Sequence, residues 1–252
     1  MQIKIHQPPA FIHLAVADRM TDGWKLQVES ARRYHCSQFL NLLPLPQPFR
    51  FAMKMETLKK ILPQFPAKSL LVMIDAMDVL FNSSLDSLVA SYHDIVRGLG
   101  TDAHGRQTSI LANGEKNCWP FPAMSTRYPA SAIQTPSPFL NSGVLIGPCE
   151  DMNKILQTFA WNEKTDDQFY WTQAYLESLE RADLPRIEVD HHSRIACCMH
   201  AVPSGELYVN HGVAYIKSSG IRPQLLHLNG PVKKFLPQIA AQIGITLPPK
   251  AE

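Results

Sequence analysis

Hydrophobic and polar positions along this chain fall into blocks whose period changes, and each block implies an element. Residues 70–74 are apolar without interruption, follow Pro66, and end in Asp75-Ala76-Met77-Asp78 before Asn82-Ser83-Ser84. A run so short and apolar at every position predicts a strand buried on both faces, as in a parallel sheet. Residues 11–17, ending at Asp18, predict a first strand of the same kind, and 22–34 read as a helix. Phe51, Met55, Leu58 and Leu62 recur at steps of four and three, one helix face, until Pro63 stops the pattern. Ser84 predicts an N-cap for a helix whose stripe runs Leu85, Leu88, Val89, Tyr92, Ile95, Val96, Leu99 and closes at Gly100.

The second half continues the alternation. A strand over 108–112 leads into a proline-rich loop over 113–138, a length that in compact domains usually serves function or moves. Residues 139–147 resume strand character around a polar interruption, Asn141-Ser142-Gly143, where glycine permits a bulge or the close approach of another group. Helices are predicted over about 151–161 and over 169–179, the latter opened by Asp166-Asp167-Gln168. Short strands follow near Ile187 and Tyr208, then the turn His227-Leu228-Asn229-Gly230. A last helix carries Phe235, Leu236, Ile239, Ala240 and Ile243 on one face. The class is α/β.

With 252 residues, 45% apolar and 18% charged, the chain suffices for a single domain over 1–252. A net charge of +2 with scattered basic residues gives no footprint for nucleic acid, so no nucleic-acid partner is expected. No window approaches the roughly 18 apolar residues of a membrane span, and residues 1–9 do not read as a leader, so a cytoplasmic protein is expected. Five cysteines without a CxxC pair suit reduced thiols. His191, His192, His200 and His211 beside Cys197-Cys198 fit no zinc spacing, and GxSxG, P-loop and GxGxxG motifs are missing.

Asp75 and Asp78 leave a predicted central strand at the carboxyl edge, where open α/β sheets bind ligands. Two carboxylates there call for a cation, a divalent metal or a metal-bound phosphate, although aspartate is also frequent in plain turns. His227 is a candidate third ligand, a set suited to manganese. Asn229, Gly230 and Lys233 lie in a turn before a helix, suited to an anion or simply an ordinary helix start. Asp166 and Asp167 read either as catalytic or orienting carboxylates or as helix-start acids. Trp119 reads either as a sugar-stacking platform or as a buried anchor.

In order, Asp75-Ala-Met-Asp78-Val79, Glu115-Lys-Asn-Cys118-Trp119-Pro120, Tyr128-Pro129, Leu140-Asn141-Ser142-Gly143 with Ile146-Gly147, Asp166-Asp167-Gln168, Asp190-His-His-Ser-Arg194-Ile195 and His227-Leu-Asn229-Gly230-Pro231 with Lys233 resemble the glycosyltransferase domain of the procollagen lysyl hydroxylase/glycosyltransferase family. The likeness runs over about 11–240. It implies a GT-A fold, a Rossmann-like, mostly parallel sheet flanked by helices, on which manganese holds a UDP-sugar. By that resemblance Asp75, Asp78 and His227 hold the metal, Asn229, Gly230 and Lys233 contact the diphosphate, and Val16 lies beside the uridine with Met77. Asp166, Asp167 and Lys233 would be catalytic, with Trp119, Asn141, Ser142 and Gly143 at the substrate.

Three residues depart from the family's pattern. Met77 stands where that pattern has an aromatic, Asp18 where it has a hydroxyl, and Leu228 where it has a glycine. The resemblance thus implies a metal-dependent transfer of a hexose from UDP-glucose or UDP-galactose to a hydroxyl acceptor. Collagen is not implied as that acceptor, and the accompanying hydroxylase domains are not expected. Rival readings are a catalytically silent nucleotide-sugar or protein-binding relative and a metal-dependent hydrolase.

Overall fold

The computed structural model describes residues 11–36, 39–42, 49–203 and 205–247; the stretch read above as lacking a leader lies outside them. Eleven strands and seven helices are found among the described residues. In chain order they are β1 (Phe11–Val16), α1 (Asp22–Arg33), β2 (Phe39–Leu42), α2 (Ala52–Ile61), β3 (Leu70–Asp75), β4 (Val79–Phe81), α3 (Leu85–Leu99), β5 (Thr108–Glu115), α4 (Ala130–Ile133), β6 (Phe139–Pro148), α5 (Cys149–Thr158), α6 (Asp167–Glu180), β7 (Arg186–Asp190), β8 (Ala196–Cys198), β9 (Leu207–Asn210), β10 (Val213–Ile216), β11 (Leu225–His227) and α7 (Leu236–Gln242). Three short 3₁₀ turns join them, among them Pro122–Arg127 and Gly230–Phe235.

The main sheet runs β2-β1-β3-β6-β5-β8-β11-β4, with β7 also paired to β5. Only β6 and β4 run against the rest, because β6 is antiparallel to β3 and β5, and β4 is antiparallel to β11. The mostly parallel sheet is the fold expected from the sequence. Strands β9 and β10 form a separate hairpin. It is tied to the sheet by Asn82, whose amide donates to Ala214 O at 2.9 Å and Pro223 O at 2.8 Å and accepts from Ala214 N at 2.8 Å.

Successive side chains of a strand point to opposite faces, so β3 must be apolar throughout to be covered twice. Leu71 and Met73 join one core with Met55, Leu58, Ile155 and Trp171, from α2, α5 and α6. Leu70, Val72 and Ile74 join the other with Ala31 of α1 and Leu85, Leu88, Tyr92 and Ile95 of α3. A third cluster, including Leu26, Leu226, Leu228, Leu236 and Ala240, seats α7 against α1 and β11.

Helix starts follow the caps. Ser84 Oγ accepts from Ser87 N at 3.2 Å, and Asp166 Oδ1 accepts from Phe169 N at 3.0 Å. Several expected bounds shift. Residues 113–115 of the expected loop belong to β5, since Asn113 still pairs with Asn141 and Asp190. The helix expected over 151–161 starts at Cys149 and stops at Thr158. The last helix begins only at Leu236; Phe235 ends the preceding 3₁₀ turn and is 44% exposed instead of buried, because the tighter winding rotates it off the α7 face.

Candidate active site at the carboxyl edge of the sheet

β1 and β3 are paired in parallel with Val16 opposite Asp75, so both strands deliver their last residues to one edge. Four residues after Asp75 the chain re-enters the sheet as β4, whose Val79 pairs with His227 at the end of β11. Asp75, Asp78 and His227 therefore meet although the histidine lies far along the chain. Their ligand-type atoms all lie within 4.8 Å of one another. His227 Nε2 stands 3.7 Å from an oxygen of each acid.

The ring is held from behind. Asn113 Nδ2 lies 3.4 Å and Cys198 Sγ 3.5 Å from His227 Nδ1, and these two side chains also bond each other. Gly143 leaves the ring its space: a Cβ there would lie 2.8 Å from both ring nitrogens and nearer still to Cε1. The polar interruption in β6 thus does what a glycine in a strand suggests, with a register shift opposite Asn113 and a close approach. Nε2 is buried with no hydrogen-bond partner and faces two carboxylates. A buried, unpartnered imidazole nitrogen between acids is costly unless a cation takes its lone pair, so these residues fit a divalent metal.

Lys54 is a site residue that the sequence reading passed over. On α2 its ammonium bridges Asp75 Oδ1 and, at 2.9 Å, Asp167 Oδ2, which also accepts from Ser142 Oγ at 2.9 Å. The signal was present: Lys54 falls three residues after Phe51 and four before Leu58, a charge on the apolar stripe. Burial alone would lower the lysine's pKa, but Asp167 and Asp75 raise it above the usual range. Burial pushes Asp75 up, and Lys54 and His227 more than reverse this, leaving it low. Asp167, penalised by burial and by Asp75's charge against the pull of Lys54, stays raised.

Glu115 is the second such residue, carried inside a quoted motif but given no role. It is bonded by Gln168 Nε2 and, at 2.9 Å, by Asn229 Nδ2. Burial pushes its carboxyl up to about 7 against these hydrogen bonds. Asn229 also accepts from His200 N at 3.1 Å, so its amide is engaged within the wall. Gln168 further donates to the carbonyl of Trp119 at 3.1 Å and accepts from Asn141 Nδ2 at 3.0 Å.

The cleft has two lobes that share Phe51, Lys54, Asp75, Asp78 and Lys233. The smaller, about 160 Å³, includes Val16 and Met77; the larger, about 450 Å³, includes Trp119, Asn141, Ser142, Asp166, Asp167, His227, Asn229 and Gly230. Every candidate site residue named from the sequence thus lines one lobe or the other, except Gly143, which backs His227. Trp119 is 62% exposed at the rim, not an internal anchor. Lys233 Nζ lies 2.8 Å from Asp78 Oδ2. Leu228 is fully buried and does not take a positive φ, whereas Gly230 does (+62°), so the turn needs its glycine at 230 only.

No helix among the described residues is long and apolar enough to cross a membrane. The fold resembles that of the WbbM bifunctional glycosyltransferase in its apo form, with a TM-score of 0.52 and 9% identity, covering 96% of this chain and 50% of that one. The chain is 26% identical to the multifunctional procollagen lysine hydroxylase and glycosyltransferase of Caenorhabditis elegans, over 94% of its own length and 32% of the relative's. To the rat enzyme LH3 of the same description it is 25% identical, over 90% and 30%. It therefore spans about a third of the curated relatives it matches. The PLOD GT domain pattern matches residues 7–249, nearly the whole chain, and the protein belongs to that glycosyltransferase-domain family.

Proposed function

We propose that the protein is a metal-dependent glycosyltransferase that moves a hexose from UDP-glucose or UDP-galactose to a hydroxyl acceptor. One observation carries this reading: the unpartnered Nε2 of His227 faces Asp75 and Asp78 where the two lobes join. A divalent cation such as manganese, held by these three residues, would offset the charge of a pyrophosphate and of the departing UDP. The chain's own residues support the remainder. Lys233, half exposed and bonded to Asp78, brings an ammonium to the same junction, where it stabilises the developing negative charge.

Asn229 and Gly230 shape the turn beside it. Met77 and Val16 offer the apolar lobe to the uridine, and the polar lobe receives sugar and acceptor, with Trp119 at its rim as a stacking face. Asp167 is bonded by Lys54 and Ser142, so its carboxylate orients those groups, while Asp166 caps α6 at the cleft wall. The five cysteines are unpaired, which supports a cytoplasmic setting for this reading.

Release of UDP from each donor with manganese, and its loss on chelation, tests the proposal. Asp78→Ala should abolish metal-dependent UDP binding while the fold persists; unchanged affinity in that variant removes the site. UDP binding without release in the wild type would instead favour a silent relative. Release of hexose that no added acceptor stimulates would favour a hydrolase.

A further inference from the structure

Cys197 and Cys198 are adjacent, yet strand β8 sends them to opposite faces. Cys197 lies in the third apolar cluster, its sulfur 3.7 Å from that of Met199. Cys198 turns the other way, into polar company. β8 is parallel to β11 with Cys198 opposite His227, so these two side chains stand on one face of neighbouring strands. The third member, Asn113, comes from β5, where the register against β6 shifts. Asn113, Cys198 and His227 are 1%, 4% and 2% exposed, so their hydrogen bonds must be made with the protein's own atoms.

A neutral imidazole has one N–H and one nitrogen lone pair. If Nε2 gives its lone pair to a cation beside Asp75 and Asp78, the ring proton is on Nδ1 and, being buried, needs an acceptor. Ligating histidines ordinarily find one in a carboxylate, a backbone carbonyl or a water. Here the polar neighbours of Nδ1 are Asn113 Nδ2 at 3.4 Å and Cys198 Sγ at 3.5 Å. An amide nitrogen only donates, whereas a thiol sulfur can accept. Asn113 holds that sulfur with both ends of its amide: Nδ2 donates to Sγ at 3.2 Å, and the thiol donates to Oδ1 at 3.3 Å. The thiol proton is thereby turned toward Asn113, and a sulfur lone pair is left for the ring.

We propose that Cys198 is a positioning residue for the metal centre: its sulfur accepts the Nδ1 proton of His227 and so keeps Nε2 turned to Asp75 and Asp78 with its lone pair free. This rests on the metal reading above and adds to it a residue that touches neither the cation nor the substrate. Asn113 acts one step further back, by orienting the thiol.

The test titrates manganese alone into the wild type, Cys198→Val and Cys198→Ser by calorimetry, with urea unfolding of each metal-free protein as the check on the fold. Cys198→Val, close in size but without an acceptor, should bind manganese roughly tenfold to a hundredfold more weakly, and Cys198→Ser, whose hydroxyl accepts, should recover most of that loss. In the magnesium-loaded protein the proton resonance of His227 Nδ1–H should move upfield in Cys198→Val, a signature that a merely structural role would leave alone. Should Cys198→Val not fold, Cys198→Ala takes its place with the same expectation. Undiminished affinity in the apolar variant, or a folded Cys198→Ser that binds as weakly as that variant, overturns the role of Cys198 and leaves the metal reading standing. A wild type that does not bind manganese overturns both.

Discussion

The two lobes of the cleft share the same strand ends and are held by opposite means. The larger is cross-linked by charge and hydrogen bonds: Lys54 spans Asp75 and Asp167, Ser142 bonds Asp167, and Gln168 and Asn229 both bond Glu115. The smaller is shaped mainly by apolar walls such as Val16, Phe49 and Met77. A charged network fixes geometry but is damaged by the loss of any member, whereas an apolar wall tolerates truncation and loses only contact area. Substitutions within that network should therefore disturb both folding and chemistry, and those in the apolar walls only affinity.

Among residues that touch no ligand themselves, the largest expected effect on binding is that of Gly143→Ala. The new methyl collides with the His227 ring, which is enclosed and cannot step aside. Metal-dependent UDP binding should fall about a hundredfold or more, the upper range for disturbing groups that support a metal ligand, as a calorimetric titration would read. Wild-type affinity would mean that the ring has slack.

Lys54→Met comes next. It leaves Asp75 and Asp167 facing each other without their cation, at a cost of about 3–5 kcal/mol. Urea unfolding without metal checks this, and added manganese should restore part of the loss.

Glu115 predicts a smaller effect with a definite sign. Its folded-state value of about 7 exceeds its ordinary 4.5, so the folded protein binds more protons between them, and stability falls as pH rises through that window. The gap between 4.5 and about 7 corresponds to about 3 kcal/mol, which the partial compensation of a real site will reduce. Glu115→Gln should flatten this slope between pH 4.5 and 7 and leave the variant the more stable protein at pH 8. An unchanged slope would assign the proton elsewhere.

The smallest effect belongs to the apolar lobe. Met77→Ala should weaken UDP several-fold, about 1 kcal/mol, without a measurable change in unfolding. A drop in stability comparable to that of Lys54→Met would erase the contrast between the lobes.

How much of this was legible beforehand divides along similar lines. The buried strands, the capped helices and the pairing of Asp75 with Asp78 are local patterns, and each follows from a few adjacent residues. His227 can be named from the residues only as a candidate third ligand, and the resemblance is what ties it to those acids, because no spacing relates residues so far apart in sequence. Lys54 is hidden inside α2, because the apolar members of the stripe define the helix whether or not one charge stands among them. Strands β4, β8 and β11 are three residues each, too short to leave a period, and only their neighbours in the sheet define them.

The link from Asp75 to Val79 has a consequence for variation. It carries two acids and also turns the chain so that β4 pairs with β11, with Val79 opposite His227. An insertion of one residue there would slide β4 along β11 by one position or bulge it, moving Asp78 relative to the imidazole in either case. The number of residues in this link is thus tied to the distance between chemical groups, and its length is less free to drift than the identity of the side chains between its acids.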